Sequence, residues 1–258
     1  MIDIHCHLLP GIDDGAKSLQ VALTMARIAE SDGISDLVCT PHIYPGMYEN
    51  DASGIRKAVV SLQARLDAEG VAIRLHSGAD AHLTPELGDG VASGRVPTLA
   101  GSRYLLLEPP HHVAPPRFEA TVFDLMARGL VPVITHPERL SWVESHYDLF
   151  ERLADRGCWM QITAGALTGR FGRRVRYWGD RFVSEGRAHV LATDAHSPDH
   201  IPSPLPIFSI ADAMQRACNP CPSGEKINGL RVMEWAARPL RGCLAAGCYA
   251  PRWLLAVQ

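Results

Sequence analysis

The chain has 258 residues, of which 47% are hydrophobic and 21% are charged, so it can bury the core of one (β/α) barrel or of one to two smaller domains. Its formal net charge of −3 at pH 7 argues against nucleic acid or an anionic membrane surface as a partner. No stretch approaches the ~20 consecutive apolar residues that cross a bilayer, which argues against membrane insertion.

The N-terminal residues and the cysteines predict where the protein works. No basic region followed by an apolar stretch is present at the N-terminus, so we expect no export signal. The seven cysteines are odd in number and irregularly spaced, which argues against a disulfide framework. Cys218 and Cys221 have zinc-knuckle spacing but no second pair, so we interpret them as a chance match. We therefore expect a cytoplasmic protein.

Strands and helices are predicted to alternate along most of the chain. Predicted strands cover residues 1–7, 36–40, 72–77, 104–107, 130–135, 159–163 and 189–193, and predicted helices cover residues 18–31, 53–68, 118–127, 147–154 and 180–184. The helix over 18–31, for example, has apolar residues at helical spacing and ends near Gly33. This order of roughly seven β/α units favours a barrel over an open sheet.

The C-terminal part of the chain has a different composition. Residues 219–258 mix Pro, Cys, Gly, Arg and Trp with little sustained periodicity, and only residues 230–237 are predicted to be helical. We therefore predict a single domain over residues 1–218 and a C-terminal tail over residues 219–258, to which the sequence assigns neither structure nor function.

Residue types that bind metals follow the predicted strands, at or just past their ends. They are His5, His7, Asp13 or Asp14, His42, Asp80, Glu108, His136, Asp194 and His196. In a β/α fold with parallel strands the strand ends converge on one face, so these side chains would meet there. Mixed imidazole and carboxylate ligands fit zinc, manganese or iron better than calcium or a thiolate site. The pattern indicates a multinuclear metal hydrolase.

Two of these positions have local arguments of their own. Side chains alternate along a strand, so His5 and His7 are predicted to lie on one face, together with Asp3. An isolated His-x-His would more often be an exposed strand end, and only the accompanying residues favour a metal site. Glu108 follows three leucines, where a carboxylate needs either solvent or a cation.

Other polar residues are predicted to lie around the metal site. Arg139 ends the sequence His136-Pro137-Glu138-Arg139, so a phosphate on a metal would also be within reach of its guanidinium group. The alternative for Arg139 is a surface salt bridge. His111 and His112 lie in a proline-rich loop and are expected only to rim the pocket.

Five motifs are specific in combination. They are Met-Ile-Asp-Ile-His-Cys-His-Leu-Leu-Pro-Gly-Ile-Asp-Asp-Gly at residues 1–15, Thr40-Pro41-His42, His136-Pro137-Glu138-Arg139, Gln161-Ile162-Thr163-Ala164-Gly165 and Thr193-Asp194-Ala195-His196. Over about residues 1–200 the chain resembles the bacterial tyrosine-protein phosphatases of the PHP (polymerase and histidinol phosphatase) superfamily, the manganese-dependent enzymes of capsule and exopolysaccharide operons. The resemblance implies a single-domain, distorted (β/α)7 barrel of the PHP type that binds two to three divalent ions, with manganese expected and iron or zinc as alternatives.

The resemblance also implies a role for each candidate residue. His5, His7, Asp80 and Asp194 would hold a first metal; Asp80, Glu108 and His136 a second, with Asp80 bridging; and Asp14, His42 and His196 a third, while Arg139 would bind the phosphate. Two departures from the family pattern are present. The family usually has Glu at the position of Asp80, and it commonly has an arginine shortly after the Asp-Ala-His motif. This chain has Ser197-Pro198-Asp199-His200 there, so His200 is expected to be a partial substitute.

The implied activity is hydrolysis of phosphotyrosine on a protein, by attack of a metal-bridging hydroxide. The expected substrate is a bacterial tyrosine kinase that regulates capsular or exopolysaccharide biosynthesis. No Cys-x5-Arg motif occurs, which excludes a cysteine-nucleophile phosphatase. The oligomeric state is not predicted.

Three alternatives are left open. The first is a PHP-type phosphoesterase that acts on histidinol phosphate or a nucleotide. The second is a metal-dependent amidohydrolase, but such enzymes commonly use a carboxylated lysine on a strand, and Lys17, Lys57 and Lys226 all lie away from predicted strand ends. The third is a regulatory protein with a degenerate site.

Overall fold

The computed structural model describes residues 1–201. The strands in this range are β1 (Ile2–Cys6), β2 (Asp36–Cys39), β3 (His42–Ile43), β4 (Arg74–Ser77), β5 (Asp80–His82), β6 (Tyr104–Glu108), β7 (Val131–Thr135), β8 (Trp159–Thr163) and β9 (Val190–Ala192). The helices are α1 (Leu19–Ser31), α2 (Ala52–Ala68), α3 (Leu87–Ala92), α4 (Phe118–Ala127), α5 (Tyr147–Asp155), α6 (Ala164–Leu167) and α7 (Arg173–Ser184). All pairs between these strands are parallel, as the alternation of strands and helices predicts.

Two strand positions of the sheet are each divided into a lower and an upper strand. β2 and β3 are separated by Thr40 and Pro41, and β4 and β5 by Gly78 and Ala79. Backbone hydrogen bonds continue across the interruptions, from Gly78 N to Cys39 O at 2.9 Å and from Asp80 N to Pro41 O at 3.2 Å. Counted in this way, the nine strands occupy seven parallel positions, in agreement with the predicted number of β/α units.

The last strand position returns to the first. Asp194 N donates to His5 O and His7 N donates to Ala195 O, both at 2.9 Å. The order therefore begins with β1, continues with the divided positions β2/β3 and β4/β5 and then with β6, β7, β8 and β9, and returns to β1. This is the order of the predicted distorted (β/α)7 barrel.

Within residues 1–201 the core consists of two apolar clusters. A small cluster, formed mainly by strand residues, contains Ile4, Val38, Leu99, Leu106, Val133, Val190 and Ala192. A larger cluster packs the strands against the surrounding helices. Glu108 and Asp194 lie two residues beyond Leu106 and Ala192, so they continue the rows of the small cluster at the carboxyl ends of the strands. The polar site is therefore built directly on top of an apolar floor.

Four of the five predicted helices, those that match α1, α2, α4 and α5, begin within one residue of their predicted starts, whereas α3 and α6 were not predicted. Ser18 and Asp51 are the N-caps of α1 and α2, where their side chains accept hydrogen bonds from Val21 N and Gly54 N. The predicted helix over 180–184 is only the second half of α7, which begins at Arg173. The first half is rich in arginine, which favours helix but gives no apolar periodicity.

Several predictions lie outside the described residues. These are the tail over residues 219–258, the helix over residues 230–237, the pair Cys218 and Cys221, and the end of the predicted domain at residue 218. Within residues 1–201 the cysteines are buried free thiols. No helix in that range is long and apolar enough to cross a membrane.

Candidate metal centre

Histidine and carboxylate side chains converge at the carboxyl ends of the strands. Within residues 1–201 they form four overlapping groups, each with its ligand atoms within 4.8 Å of one another: His7, Asp14, His42 and His196; His5, His7 and Asp80; His42, Asp80 and Glu108; and Glu108, His111 and His136. Eight of the nine residues predicted as ligands belong to these groups, and the ninth, Asp194, contacts three of their members, His5, His7 and His196.

The His-x-His motif of β1 lies at the centre of the cluster. Nε2 of His5 and Nε2 of His7 are 3.1 Å apart, as expected for two imidazoles on one strand face. Asp194 Oδ1 lies 3.2 Å from His5 Nε2 and 3.5 Å from His7 Nε2, and Asp80 Oδ2 lies 3.5 Å from His5 Nε2. These four residues are the set that the resemblance assigns to a first metal.

Two buried side chains fix the orientation of these imidazoles. His7 Nδ1 lies 2.8 Å from Asp13 Oδ2, and His5 Nδ1 lies 2.8 Å from Gln161 Oε1. Both acceptors favour a proton on Nδ1, which leaves Nε2 of each ring facing the cluster. The sequence offered Asp13 as an alternative to Asp14; in the structure Asp13 is the orienting group and Asp14 belongs to the ligand cluster. Gln161 lies in a family motif, but its role was not predicted.

Asp80 lies between two of the groups. Its Oδ2 is 3.5 Å from His5 Nε2 and 3.6 Å from His42 Nδ1. His42 Nδ1 is in turn 3.3 Å from Glu108 Oε2. The aspartate is one methylene shorter than the glutamate that the resemblance implies at this position, yet it reaches both sides of the cluster.

The group around Asp14 lies at the more exposed side. Asp14 Oδ1 is 3.5 Å from His42 Nε2 and 3.5 Å from His196 Nε2. His7 also belongs to this group, so its imidazole is shared by two groups. The resemblance assigns His7 to the first metal alone.

His111 lies inside the cluster, although we expected it only to rim the pocket. Its Nε2 is 3.4 Å from Glu108 Oε1, and that oxygen is 3.8 Å from His136 Nε2. His112 is exposed, as expected of a rim residue. The proline-rich loop gave no strand-end signal that would have distinguished the two histidines.

Asp3 is separated from the cluster by an irregularity in β1. The register of β1 on β2 shifts between Asp3 and Cys6, so strict alternation does not hold there. Asp3 instead accepts hydrogen bonds from the hydroxyl and backbone N–H of Thr193 and from His5 N. The prediction that Asp3 shares the face of the two histidines is therefore wrong, and its role is to join β1 to the chain after β9.

A tight turn carries two tyrosines, one against His42 of the centre and one against His82, whose Nδ1 lies 3.8 Å from Glu108 Oε2. The Tyr44 ring stacks on His82 with 3.8 Å between centroids, and the Tyr48 ring stacks on His42 with 5.5 Å between centroids. Asn50 Nδ2 donates to His42 O at 2.9 Å and holds the end of the turn in place. The sequence gives neither tyrosine a periodic pattern that would predict this contact.

Arg139 and His200 lie beside the cluster. Arg139 forms an ion pair with Asp194 through Nη1, and its guanidinium group lies over the Phe171 ring at 4.7 Å from the centroid. The alternative of a surface salt bridge therefore does not describe it, since its partner is a buried carboxylate of the site. His200 Nδ1 lies 3.4 Å from His196 N, from which it accepts a hydrogen bond.

Burial and charge set opposite pKa shifts within the cluster. Burial alone would lower the pKa of His5 and of His7, but neighbouring carboxylates, chiefly Asp194 for His5 and Asp13 for His7, raise them to about 9 and about 10. Burial and the charge of Arg139 hold the pKa of His136 well below its usual value. A cation that binds here must therefore displace protons from His5 and His7.

Unpaired buried atoms show that these residues fit a divalent metal. Within the described residues, both carboxylate oxygens of Asp80, Nδ1 of His42 and Nδ1 of His136 are buried without a hydrogen-bond partner. A buried carboxylate is costly unless it is paired with a cation or hydrogen-bonded. The donors are all nitrogen and oxygen, which suits manganese, iron or zinc.

Two candidate ligands have left-handed backbone conformations. The φ angle is +33° at His136 and +50° at Asp194, the residues that follow β7 and closely follow β9. Among residues other than glycine, Asn, Asp and His adopt this region most readily. The chain therefore turns sharply at two of the strand ends while still presenting a ligand there.

Comparison with known proteins shows the family of the chain. The family model described as "Capsular polysaccharide synthesis, CpsB/CapC" matches residues 1–209. The tyrosine-protein phosphatase YwqE of Bacillus subtilis (strain 168) is 35% identical over 197 residues, which cover 76% of this chain and 78% of that protein.

Two solved structures are also similar. One comes from the crystal structures of YwqE from Bacillus subtilis and CpsB from Streptococcus pneumoniae, which are described as unique metal-dependent tyrosine phosphatases. It matches with a TM-score of 0.78 and 32% identity, and the match covers 82% of this chain and 87% of the other chain. The other is a histidinol phosphate phosphatase from Lactococcus lactis, with a TM-score of 0.54, 12% identity and coverage of 84% and 93%, a likeness that shows the fold alone.

Proposed function

Because this chain belongs to the CpsB/CapC family of capsular polysaccharide synthesis, we propose that it is a metal-dependent phosphatase that hydrolyses phosphotyrosine on a protein. The observation that carries the proposal is the convergence of the nine candidate ligands in one cluster with Arg139 beside it. The similarity to proteins named as tyrosine phosphatases supports this substrate class over others.

The proposed ligand sets are those that the resemblance implies, and they overlap the groups of the cluster. His5, His7, Asp80 and Asp194 would hold one ion, and Asp80, Glu108 and His136 a second, with His111 as an additional donor. Asp14, His42 and His196 would hold a third. The mixed nitrogen and oxygen donors favour manganese, with iron or zinc as alternatives.

When bound, such ions supply an activated water for in-line attack on phosphorus and neutralise charge on the phosphate oxygens. The protein's own residues have two tasks around them. Asp13 and Gln161 hold the imidazoles of His7 and His5 in the orientation that turns Nε2 inward. Arg139 uses Nη1 for Asp194, so its remaining N–H groups are available for phosphate oxygens. Cys6 is a buried thiol whose pKa burial raises well above its usual value, so it has no nucleophilic task.

A tyrosyl phosphate suits such a site. Its phenolic leaving group has a pKa of about 10 and departs with less help from a general acid than an alkyl alcohol needs. We propose a bacterial tyrosine kinase of capsular or exopolysaccharide synthesis as the protein substrate, because the matching family is one of capsule synthesis. We also propose the cytoplasm as the location.

The test is a phosphatase assay on the purified chain after chelation and after addition of manganese, iron or zinc. We expect metal-dependent hydrolysis of a phosphotyrosine peptide, with a higher kcat/KM than for histidinol phosphate or a nucleotide monophosphate. His136→Ala and Asp194→Ala should abolish turnover with an unchanged circular dichroism spectrum, whereas Cys6→Ser should remain active. Preference for the small phosphomonoesters would favour the alternative phosphoesterase.

The amidohydrolase alternative lacks its usual lysine in the described part of the chain. Lys17 and Lys57, the lysines within residues 1–201, are both exposed and lie in a loop and on α2. Hydrolysis of an amide substrate in the absence of phosphatase activity would reverse this conclusion.

A further inference from the structure

A run of arginines lies beside the metal centre and is not used by the proposed reaction. Residues 156–179 contain no Asp or Glu, and the loop and first turn of α7 within them carry Arg170, Arg173, Arg174 and Arg176. All four are exposed. We call these four residues the arginine rim.

Specific contacts attach the arginine rim to the edge of the site. Arg174 Nη2 donates to Leu140 O and to Ser141 O, both at 3.0 Å, directly after Arg139 in the chain. Arg170 Nη2 donates to the backbone carbonyl of Asp199, one residue before His200. The rim therefore bridges the two loops that carry Arg139 and His200.

Phe171 connects the rim to the phosphate-binding arginine. Its ring lies under the Arg139 guanidinium group at 4.7 Å, and it is the immediate neighbour of Arg170. Exposed positive charge thus continues outward from Arg139 along the surface rather than ending at the cluster.

Nearby carboxylates neutralise this charge only in part. Arg176 Nε lies 3.5 Å from Asp180 Oδ2, and Asp199 is exposed next to the carbonyl that Arg170 binds. Arg173 has no carboxylate partner among residues 1–201, and Arg174 uses carbonyl groups. The rim keeps a positive surplus in a chain whose net charge is −3.

We propose that the arginine rim binds an acidic peptide segment that flanks the phosphotyrosine of the substrate. The proposal rests on the proposed function, because the flanking segment can reach the rim only when its phosphotyrosine is at Arg139 and the cluster. Exposed arginines raise the association rate and lower KM for anionic partners, and the effect is screened by salt.

An acidic peptide fits better than a nucleic acid or a membrane. The rim is a short strip that begins at Phe171 and Arg139, so its ligand is continuous with a group bound in the centre. The strip also lies on an otherwise acidic chain, which would disfavour a long polyanion or an anionic bilayer over the whole surface.

The test compares three phosphotyrosine peptides of one length, flanked by Glu, Gln or Lys, on the metal-loaded full chain. We expect the wild type to have a kcat/KM roughly three- to tenfold higher for the Glu-flanked peptide than for the Gln-flanked one. The preference should disappear near 1 M salt, where the Debye length is ~3 Å. R173E combined with R176E should invert the order in favour of the Lys-flanked peptide.

The matched control is R156E, which makes the same charge change as R173E alone but at the opposite end of the barrel, so R173E is assayed beside it as a single variant. Arg156 is exposed, lies over Phe123 at 4.7 Å and precedes β8, whereas the site lies beyond the carboxyl end of that strand. The control should keep the wild-type order of the three peptides.

Each result has a distinct meaning. Equal kcat/KM for the three peptides, with clear hydrolysis of all, would overturn the rim proposal and leave the proposed function intact. If R156E also loses the preference for the Glu-flanked peptide, the rim proposal is overturned as well. The same holds if the arginine rim binds phosphatidylserine vesicles while the enzyme shows no preference among the peptides. If no peptide is hydrolysed, fluorescence anisotropy with the Glu-flanked peptide decides: absence of rim-dependent binding overturns the proposal.

Discussion

Asp13→Asn should weaken metal binding without removing a ligand. Asp13 Oδ2 lies 2.8 Å from His7 Nδ1 and accepts from His42 N at 3.2 Å, while Oδ1 accepts from Gly15 N at 2.9 Å. The asparagine can still accept the hydrogen bond from Gly15 N through its amide oxygen. Its NH2 group then lies where Oδ2 was, against His7 Nδ1–H and His42 N–H, and cannot accept from either donor. A charge-assisted hydrogen bond contributes roughly 1.5–3 kcal/mol, which corresponds to a loss of metal affinity of roughly 10- to 100-fold.

The matched variant for this prediction is Asp14→Asn at the neighbouring position. Asp14 makes no hydrogen bond to the imidazoles, and its oxygen lies 3.5 Å from both His42 Nε2 and His196 Nε2. Isothermal titration calorimetry of the chelated protein should show full stoichiometry with a raised Kd for Asp13→Asn. It should show lower stoichiometry for Asp14→Asn. High metal concentration should restore the activity of Asp13→Asn alone, and an unchanged Kd in that variant would refute the orienting role of Asp13.

Three further expectations concern the phosphate, the metals and pH. Arg139→Ala should lower kcat/KM strongly and weaken phosphate inhibition, and His200→Arg should tighten it; phosphate inhibition unaffected by both would mean that neither residue faces the phosphate. Removal of the metal by a chelator should lower Tm by roughly 5–10 °C, relative to protein that holds the metal at about 100 times its Kd. This difference in Tm should be smaller in Asp80→Asn, because both carboxylate oxygens of Asp80 are buried without a partner in the metal-free protein. Burial lowers the pKa of His189 to about 4 from an unfolded value of about 6.5. The metal-free protein should therefore lose stability as the pH falls from about 6.5 to 4, because the unfolded chain binds a proton that the folded chain does not. His189→Gln should flatten that part of the profile of Tm against pH, and an unchanged slope in this variant would contradict the prediction.

The parts of the site that sequence could predict are those that depend on strand periodicity. His5 and His7 meet because alternate side chains share a face, and Glu108, His136 and Asp194 meet because parallel strands end on one side of the barrel. Each of these side chains follows an apolar run long enough to be recognised as a buried strand. The family resemblance added the division into metal sets and the role of Arg139.

The parts that sequence missed depend on local irregularity. β3 and β5 are too short to show any period, so the divided strand positions that carry His42 and Asp80 were not predicted. The register shift in β1 removes Asp3 from the site. His111 comes from a loop, where no pattern fixes the direction of a side chain. The start of α7 at Arg173 was missed because its exposed arginines have no apolar period.

The left-handed backbone at His136 and Asp194 limits which metals the centre could come to prefer. A residue at either position has to tolerate positive φ and also donate an electron pair, and the side chains that do both with ease are Asp, Asn and His. A cysteine, the change that would move the centre towards softer ions, would add roughly 1–2 kcal/mol of backbone strain at that position. The bend of the chain thus restricts two ligands to hard or borderline donors, and mutational drift in metal preference is expected to proceed through His42, Asp80 or Glu108 instead.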